Sequence, residues 1–99
     1  MNLNAYTLFD SAPITYNRPF FCQSDAEALR HFDDLCADAE SLISRHPEHF
    51  YLYRTGTFDQ NTGAINGEQI QCLATAVDRI AAQRVIEPGS LKESPGGSE

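Results

Sequence analysis

Ser24-Asp25-Ala26-Glu27-Ala28-Leu29-Arg30-His31-Phe32-Asp33-Asp34-Leu35-Cys36-Ala37-Asp38-Ala39 is the stretch on which the reading of the fold turns. Its first four residues form a capping box: the Ser24 hydroxyl can accept from the Glu27 backbone N–H while the Glu27 side chain reaches back. Asp25 adds negative charge at the positive end of the helix dipole. Ala28, Leu29, Phe32, Leu35, Cys36 and Ala39 then fall on one stripe at helical spacing, with Glu27, Asp34 and Asp38 opposite. The spacing predicts an amphipathic helix from about Asp25 to Ala39. Such a helix needs an apolar sheet face to cover.

That sheet is written on both sides of it. Leu3 to Phe9 is apolar and β-compatible and stops at the turn signal Asp10-Ser11-Ala12-Pro13, so it reads as a first strand. Ile14 to Tyr16 extends briefly before Asn17-Arg18-Pro19 breaks it, and Pro19-Phe20-Phe21 leads toward the helix. After it, Leu42 and Ile43 are expected to make one further turn and tuck into the core, and His46-Pro47 ends the helical region. From Phe50 the period becomes two. Phe50, Leu52, Arg54, Gly56 and Phe58 are expected on one face, and Tyr51, Tyr53, Thr55 and Thr57 on the other. Asp59-Gln60-Asn61-Thr62-Gly63 turns the chain back as a hairpin into Ala64-Ile65. A return strand from about Gln69 to Ala74 and a short helix behind Thr75-Ala76-Val77-Asp78 are favoured over the alternative, one continuous helix from Glu68 to Arg84. Residues 87–99, rich in Pro, Gly and Ser, read as a disordered tail behind a single domain of residues 1–86.

Bulk properties narrow the function classes. The hydrophobic content of 41% is too high for disorder throughout, and 99 residues hold one domain with a modest core. Seven basic against fourteen acidic side chains give a net charge of −7. Non-specific nucleic-acid binding draws on clustered Lys and Arg, and anionic membranes recruit the same groups, so both are disfavoured. The balance fits a soluble chain or one that meets a basic partner. Cys22, Cys36 and Cys72 form no close pair and no disulfide framework, which fits a reducing compartment. The N-terminus lacks a signal-peptide pattern, and no apolar run approaches the roughly 20 residues that span a bilayer.

Reactive constellations are thin. His46 and His49 make an H-x-x-H that His31 or a cysteine could join, but Pro47 breaks the rigid element zinc pairs prefer. Asp59 to Gly63 fails as a calcium loop, because its sixth and twelfth places hold Ala64 and Ile70. No nucleophile motif occurs. Asp33-Asp34 reads as a solvated face, and His31 as a solvated imidazole near Glu27 and Asp34. The expectation is therefore no catalytic residue, no metal, no cofactor and no enzyme activity. Tyr51 and Tyr53 share one side of a strand, and Arg54, Arg45 and Arg18 are nearby or available cations. These five residues are the candidate contacts for nucleic acid or a protein partner; base stacking on such tyrosines needs cationic neighbours. The competing reading makes the tyrosines half-buried sheet residues or a homodimer contact.

An ordered set of segments carries a family resemblance. It comprises Tyr6-Thr7-Leu8-Phe9-Asp10, Pro19-Phe20, Ala28-Leu29-Arg30-His31-Phe32, His46-Pro47-Glu48-His49-Phe50-Tyr51-Leu52-Tyr53, Gly56-Thr57-Phe58-Asp59 and Thr62-Gly63-Ala64-Ile65. The pattern, running from about Tyr6 to Ile80, resembles the small non-structural protein of gokushovirus-type microviruses, phages with circular single-stranded DNA genomes. His49 stands where that family often has an acidic residue, and the polar tail is longer than usual. The resemblance implies a non-capsid protein in the host cytoplasm, linked to the switch from duplex replication to single-stranded genome synthesis. It carries over no catalytic residues. The expected architecture is α+β: a small antiparallel sheet of three to five strands, one main amphipathic helix packed on it, and a short second helix near the C-terminus. The expected partners are a viral or host replication protein or single-stranded DNA, with a homodimer also open and no membrane. The alternative function is a structural, assembly or host-interaction factor of scaffold type.

Overall fold

The computed structural model describes residues 1–85. Its main helix forms where the capping signal lies. The Ser24 hydroxyl accepts from the Glu27 N–H at 3.2 Å and starts helix α1, Asp25–Ala37. The Glu27 carboxylate reaches back to the Gln23 N–H at 2.9 Å, one residue beyond the cap itself. The helix ends short of the expected Ala39. Asp38 takes an extended conformation and its carboxylate accepts from the Glu40 N–H at 2.9 Å, an Asx turn that competes with further helix. Ser41 then caps a one-turn helix, α2, Leu42–Arg45. Ile43 enters the core as expected. Leu42 does not: it is 57% exposed, on the outward side of a helix with room to bury only one of two neighbours.

Five antiparallel strands make the sheet: β1 (Asn2–Asp10), β2 (Thr15–Tyr16), β3 (Phe20–Cys22), β4 (Phe50–Asp59) and β5 (Ile65–Thr75). Central β1 pairs with β4 along one edge and with β2 and β3 along the other; β5 lies outside β4. A short 3-10 turn, Pro47–His49, feeds β4. The C-terminal segment is strand then helix, with α3 spanning Ala76–Val85. The Thr75 hydroxyl accepts from the Asp78 N–H at 3.1 Å, the capping contact the sequence signature anticipated. The expected tail, residues 87–99, lies outside the described residues.

Among the described residues, all three helices pack on one face of the sheet and none on the other. Tyr6, Cys22, Ala28, Phe32, Cys36, Ile43, Phe50, Leu52 and Ala76 form one buried cluster between sheet and helices. Complete burial of side chains such as Phe32 and Leu52 stabilises by about 1.5–3 kcal/mol each. Asp33 is not merely solvated. It takes a bidentate pair from Arg79, both contacts 2.7 Å, and its carbonyl accepts from Gln83 at 3.0 Å, so α3 is tied to α1.

The strict alternation expected along β4 is broken by a bulge. Tyr6 pairs with Arg54 but its neighbour Ala5 pairs with Gly56, leaving Thr55 as an extra residue. Because Ala5 and Tyr6 face opposite ways, Gly56 is turned away from the side that holds Phe50, Leu52 and Arg54. Phe58 follows it, pairs with Leu3 and lies 5.3 Å from Phe21, ring centre to ring centre. One inserted residue thus moves the distal half of the strand's apolar set to the helix-free face.

Candidate interaction face

The face of the sheet that no helix among the described residues covers carries a cluster of aromatic rings. Phe9 on β1 sits opposite Tyr51 on β4 and Tyr16 on β2, which puts the three on one side. Tyr53 joins them two residues along β4. Phe9 and Tyr16 are 4.7 Å apart between ring centres, Tyr16 and Tyr53 5.8 Å, and Phe9 lies 6.2 Å from Tyr51 and 6.3 Å from Tyr53. Edge and tilted approaches of this kind are favoured over face-to-face sandwiches. Tyr16 is 49% exposed, and Tyr51 and Tyr53 are half-buried. Partial burial, with Cys72, Tyr16 and Tyr51 around it, pushes the Tyr53 hydroxyl above its ordinary pKa, so it stays a neutral donor. Beside the cluster runs an open groove of about 380 Å³ lined by Thr7, Tyr16, Asn17, Pro19, Thr55 and Ile70. The Thr7 hydroxyl donates to the Asn17 carbonyl at 2.6 Å and anchors the connection that forms its wall.

The five residues picked out by sequence separate into groups. Tyr51 and Tyr53 lie together in the cluster. Arg54 points to the other face, where it pairs with Asp25 at 3.0 Å and donates to Gln71 at 2.8 Å. Asp25 in turn accepts from the buried Tyr6 hydroxyl at 2.7 Å, so this arginine serves the junction of sheet and α1. Arg45 turns back onto the carbonyls of Ser41 and Glu40, next to α2. Arg18 is exposed between Asn17 and Pro19, at the rim of the groove. Sequence reasoning missed Phe9 and Tyr16. Their signal was the turn at Asp10 to Pro13, which folds Tyr16 back beside Phe9; strand pairing rather than local pattern makes them neighbours. The face therefore offers aromatic surface and phenolic hydroxyls with Arg18 as the flanking cation among the described residues, a composition suited to protein contact.

Histidines fall in two places. His46 and His49 stack with ring centres 6.0 Å apart and line a shallow recess with Asp10, Ala12, Leu42 and Phe50. His31 lies elsewhere, close to Cys22 and Glu27. The remaining buried thiol, Cys36, is pushed up to about 11 by burial and by nearby Asp33, which leaves it a protonated core group.

The architecture defines a class: α+β proteins whose helices cover one face of an antiparallel sheet. Within it, the chain belongs to the phage ORF5 protein family, whose family model matches residues 3–79, and it is a phage protein. That span takes in every strand save Asn2 at the start of β1 and reaches into α3. Comparison with curated proteins and with solved structures finds no match. No helix among the described residues is long and apolar enough to cross a membrane.

Proposed function

We propose that this phage protein is a non-enzymatic regulatory binding protein that engages a protein of the viral or host replication machinery through the open aromatic face of its sheet. The observation that carries the reading is the cluster of Phe9, Tyr16, Tyr51 and Tyr53 on the face without helices. Tyrosines give large, rigid contact area and hydrogen bonds at low entropic cost, which is why they concentrate in interfaces. The net charge of −7 favours a partner with a basic surface. Arg54, Arg45 and Arg79 are held by Asp25, backbone carbonyls and Asp33, so they do not form a cationic track beside the rings. The resemblance to the non-structural protein of gokushovirus-type microviruses supports a place in the switch to single-stranded genome synthesis, inside the bacterial host.

Single-stranded DNA is the occupant that competes for the same rings. Labelled single-stranded DNA titrated against the full chain at two salt concentrations separates the two. The proposal expects no binding at low salt. Binding at low salt that collapses steeply as salt rises, and that is lost with Tyr53→Ala, transfers the function to DNA.

A further inference from the structure

We propose that Cys22, Glu27 and His31 form a binding site for a divalent transition metal, zinc by preference, at the junction of β3 and α1. The ligand atoms of these three side chains all lie within 4.8 Å of one another. The site is remote from the aromatic face and does not rest on the function proposed for it. The fold positions each ligand for its own reason. Cys22 is the last residue of β3, paired with Asn4 of β1 and only 2% exposed. Glu27 and His31 stand four residues apart on α1, hence on one side of the helix. The Glu27 carboxylate is held by the Gln23 N–H at 2.9 Å on one oxygen, which leaves the other to a cation. That hydrogen bond is the outer support that orients carboxylate ligands at metal sites. No ion pair forms at Glu27 or His31 among the described residues.

The donor set selects the ion. One sulfur, one imidazole nitrogen and one carboxylate oxygen suit zinc and exclude magnesium and calcium, which take oxygen ligands. Zinc bonds of about 2.0–2.3 Å place tetrahedral ligand atoms roughly 3.3–3.8 Å apart. Closing from the present spread needs only small rotations, which exposed His31 and half-buried Glu27 are free to make. Binding releases the Cys22 proton to solvent; thiolate and carboxylate then balance the two positive charges, and the imidazole stays neutral. Three protein ligands leave a fourth position for water or a partner's side chain. His31 also lines an apolar groove of about 340 Å³ with Leu8, Phe20, Phe21, Phe32 and Leu35, so this position lies at the edge of a recess. Local sequence hides the site, because the cysteine comes from a strand and the other two ligands from the following helix.

Titration of the full chain, reduced and metal-free, with zinc tests this directly, followed by cobalt as a spectroscopic probe. The expected result is one equivalent bound, a raised melting temperature, and a thiolate-to-cobalt charge-transfer band. His31→Gln, at an exposed position that the fold does not need, is expected to weaken zinc binding about 100-fold, since loss of one of three ligands removes the site. Cys72→Ser and the His46→Gln/His49→Gln double variant keep full affinity. A folded Cys22→Ser variant shows no charge-transfer band; if Cys22→Ser does not fold, His31→Gln carries the decision. Failure to bind zinc, binding unchanged by His31→Gln, or binding lost with Cys72→Ser or the His46/His49 pair overturns the proposal.

Discussion

Ile14 sits at φ 59° in the turn between β1 and β2, with its side chain 77% exposed. A β-branched residue in the left-handed region is strained by about 1–2 kcal/mol, and nothing in the burial of Ile14 offsets that. Ile14→Asn should therefore raise stability by about 0.5–1 kcal/mol, read as a melting temperature higher by roughly 4 °C, because Asn tolerates this conformation and adds no glycine entropy. Tyr6 shows the opposite economy, a polar group buried with its partners supplied. Its hydroxyl donates to Asp25 at 2.7 Å and accepts from Asn4 at 3.1 Å. Burial first, and then the bond to Asp25, push it up to about 12. The folded state therefore holds its proton more tightly than the unfolded chain, where the phenol titrates near 10. The stabilisation is complete below about pH 10 and is lost as pH rises toward 12, by on the order of 2 kcal/mol. Cys36, raised to about 11, starts the same decline near pH 9. Urea unfolding across pH 8–11 should show falling stability, and Tyr6→Phe should flatten the upper part of the curve while lowering stability at neutral pH by about 1 kcal/mol.

At the scale of elements, β4 and β5 decide how the sheet presents itself. A side chain at Gly56 would collide with the backbone oxygen of Asn66, so glycine is what lets the two strands close there. Gly56→Ala should detach the first part of β5, and hydrogen exchange should show faster amides at residues 65–67 with the helices still protected. The elements themselves were largely legible in the sequence. The α1 cap, the hairpin at Asp59 to Gly63, the break at His46-Pro47 and the Thr75 cap are local chemistry, and local chemistry is what a sequence writes plainly. The bulge at Thr55 was not legible, because it exists only as a mismatch between two strands about fifty residues apart. Reading β4 as strictly alternating therefore misplaced Phe58 and Gly56. Packing between consecutive elements, rather than any long-range mismatch, hid Phe9 and Tyr16 from the candidate face and Cys22 from His31. Arg54, next to Tyr53 in sequence, lies on the opposite face as the alternation of β4 expects, and there it pairs with Asp25.

For the whole molecule, apolar groups divide between two jobs. One set, centred on Tyr6, Phe32 and Leu52, closes the core under three helices. The other, Phe9, Tyr16, Tyr51 and Tyr53, is spent on a face that no helix among the described residues covers. A domain this small has little apolar area to spare, so leaving four rings on an open surface argues for a covering partner. The edge strand β5, exposed over most of its length and bent by two register shifts, is poorly shaped for strand addition, so the proposed association is assigned to the face. The most direct measurement is quantitative pull-down from infected host cells, comparing the full chain with a Tyr51→Ser/Tyr53→Ser variant and, as a folded control, Arg30→Gln at an exposed position of α1. A replication protein retained by the first and third and released by the second is the predicted result. Equal retention by all three, or capsid intermediates in place of replication proteins, would contradict it.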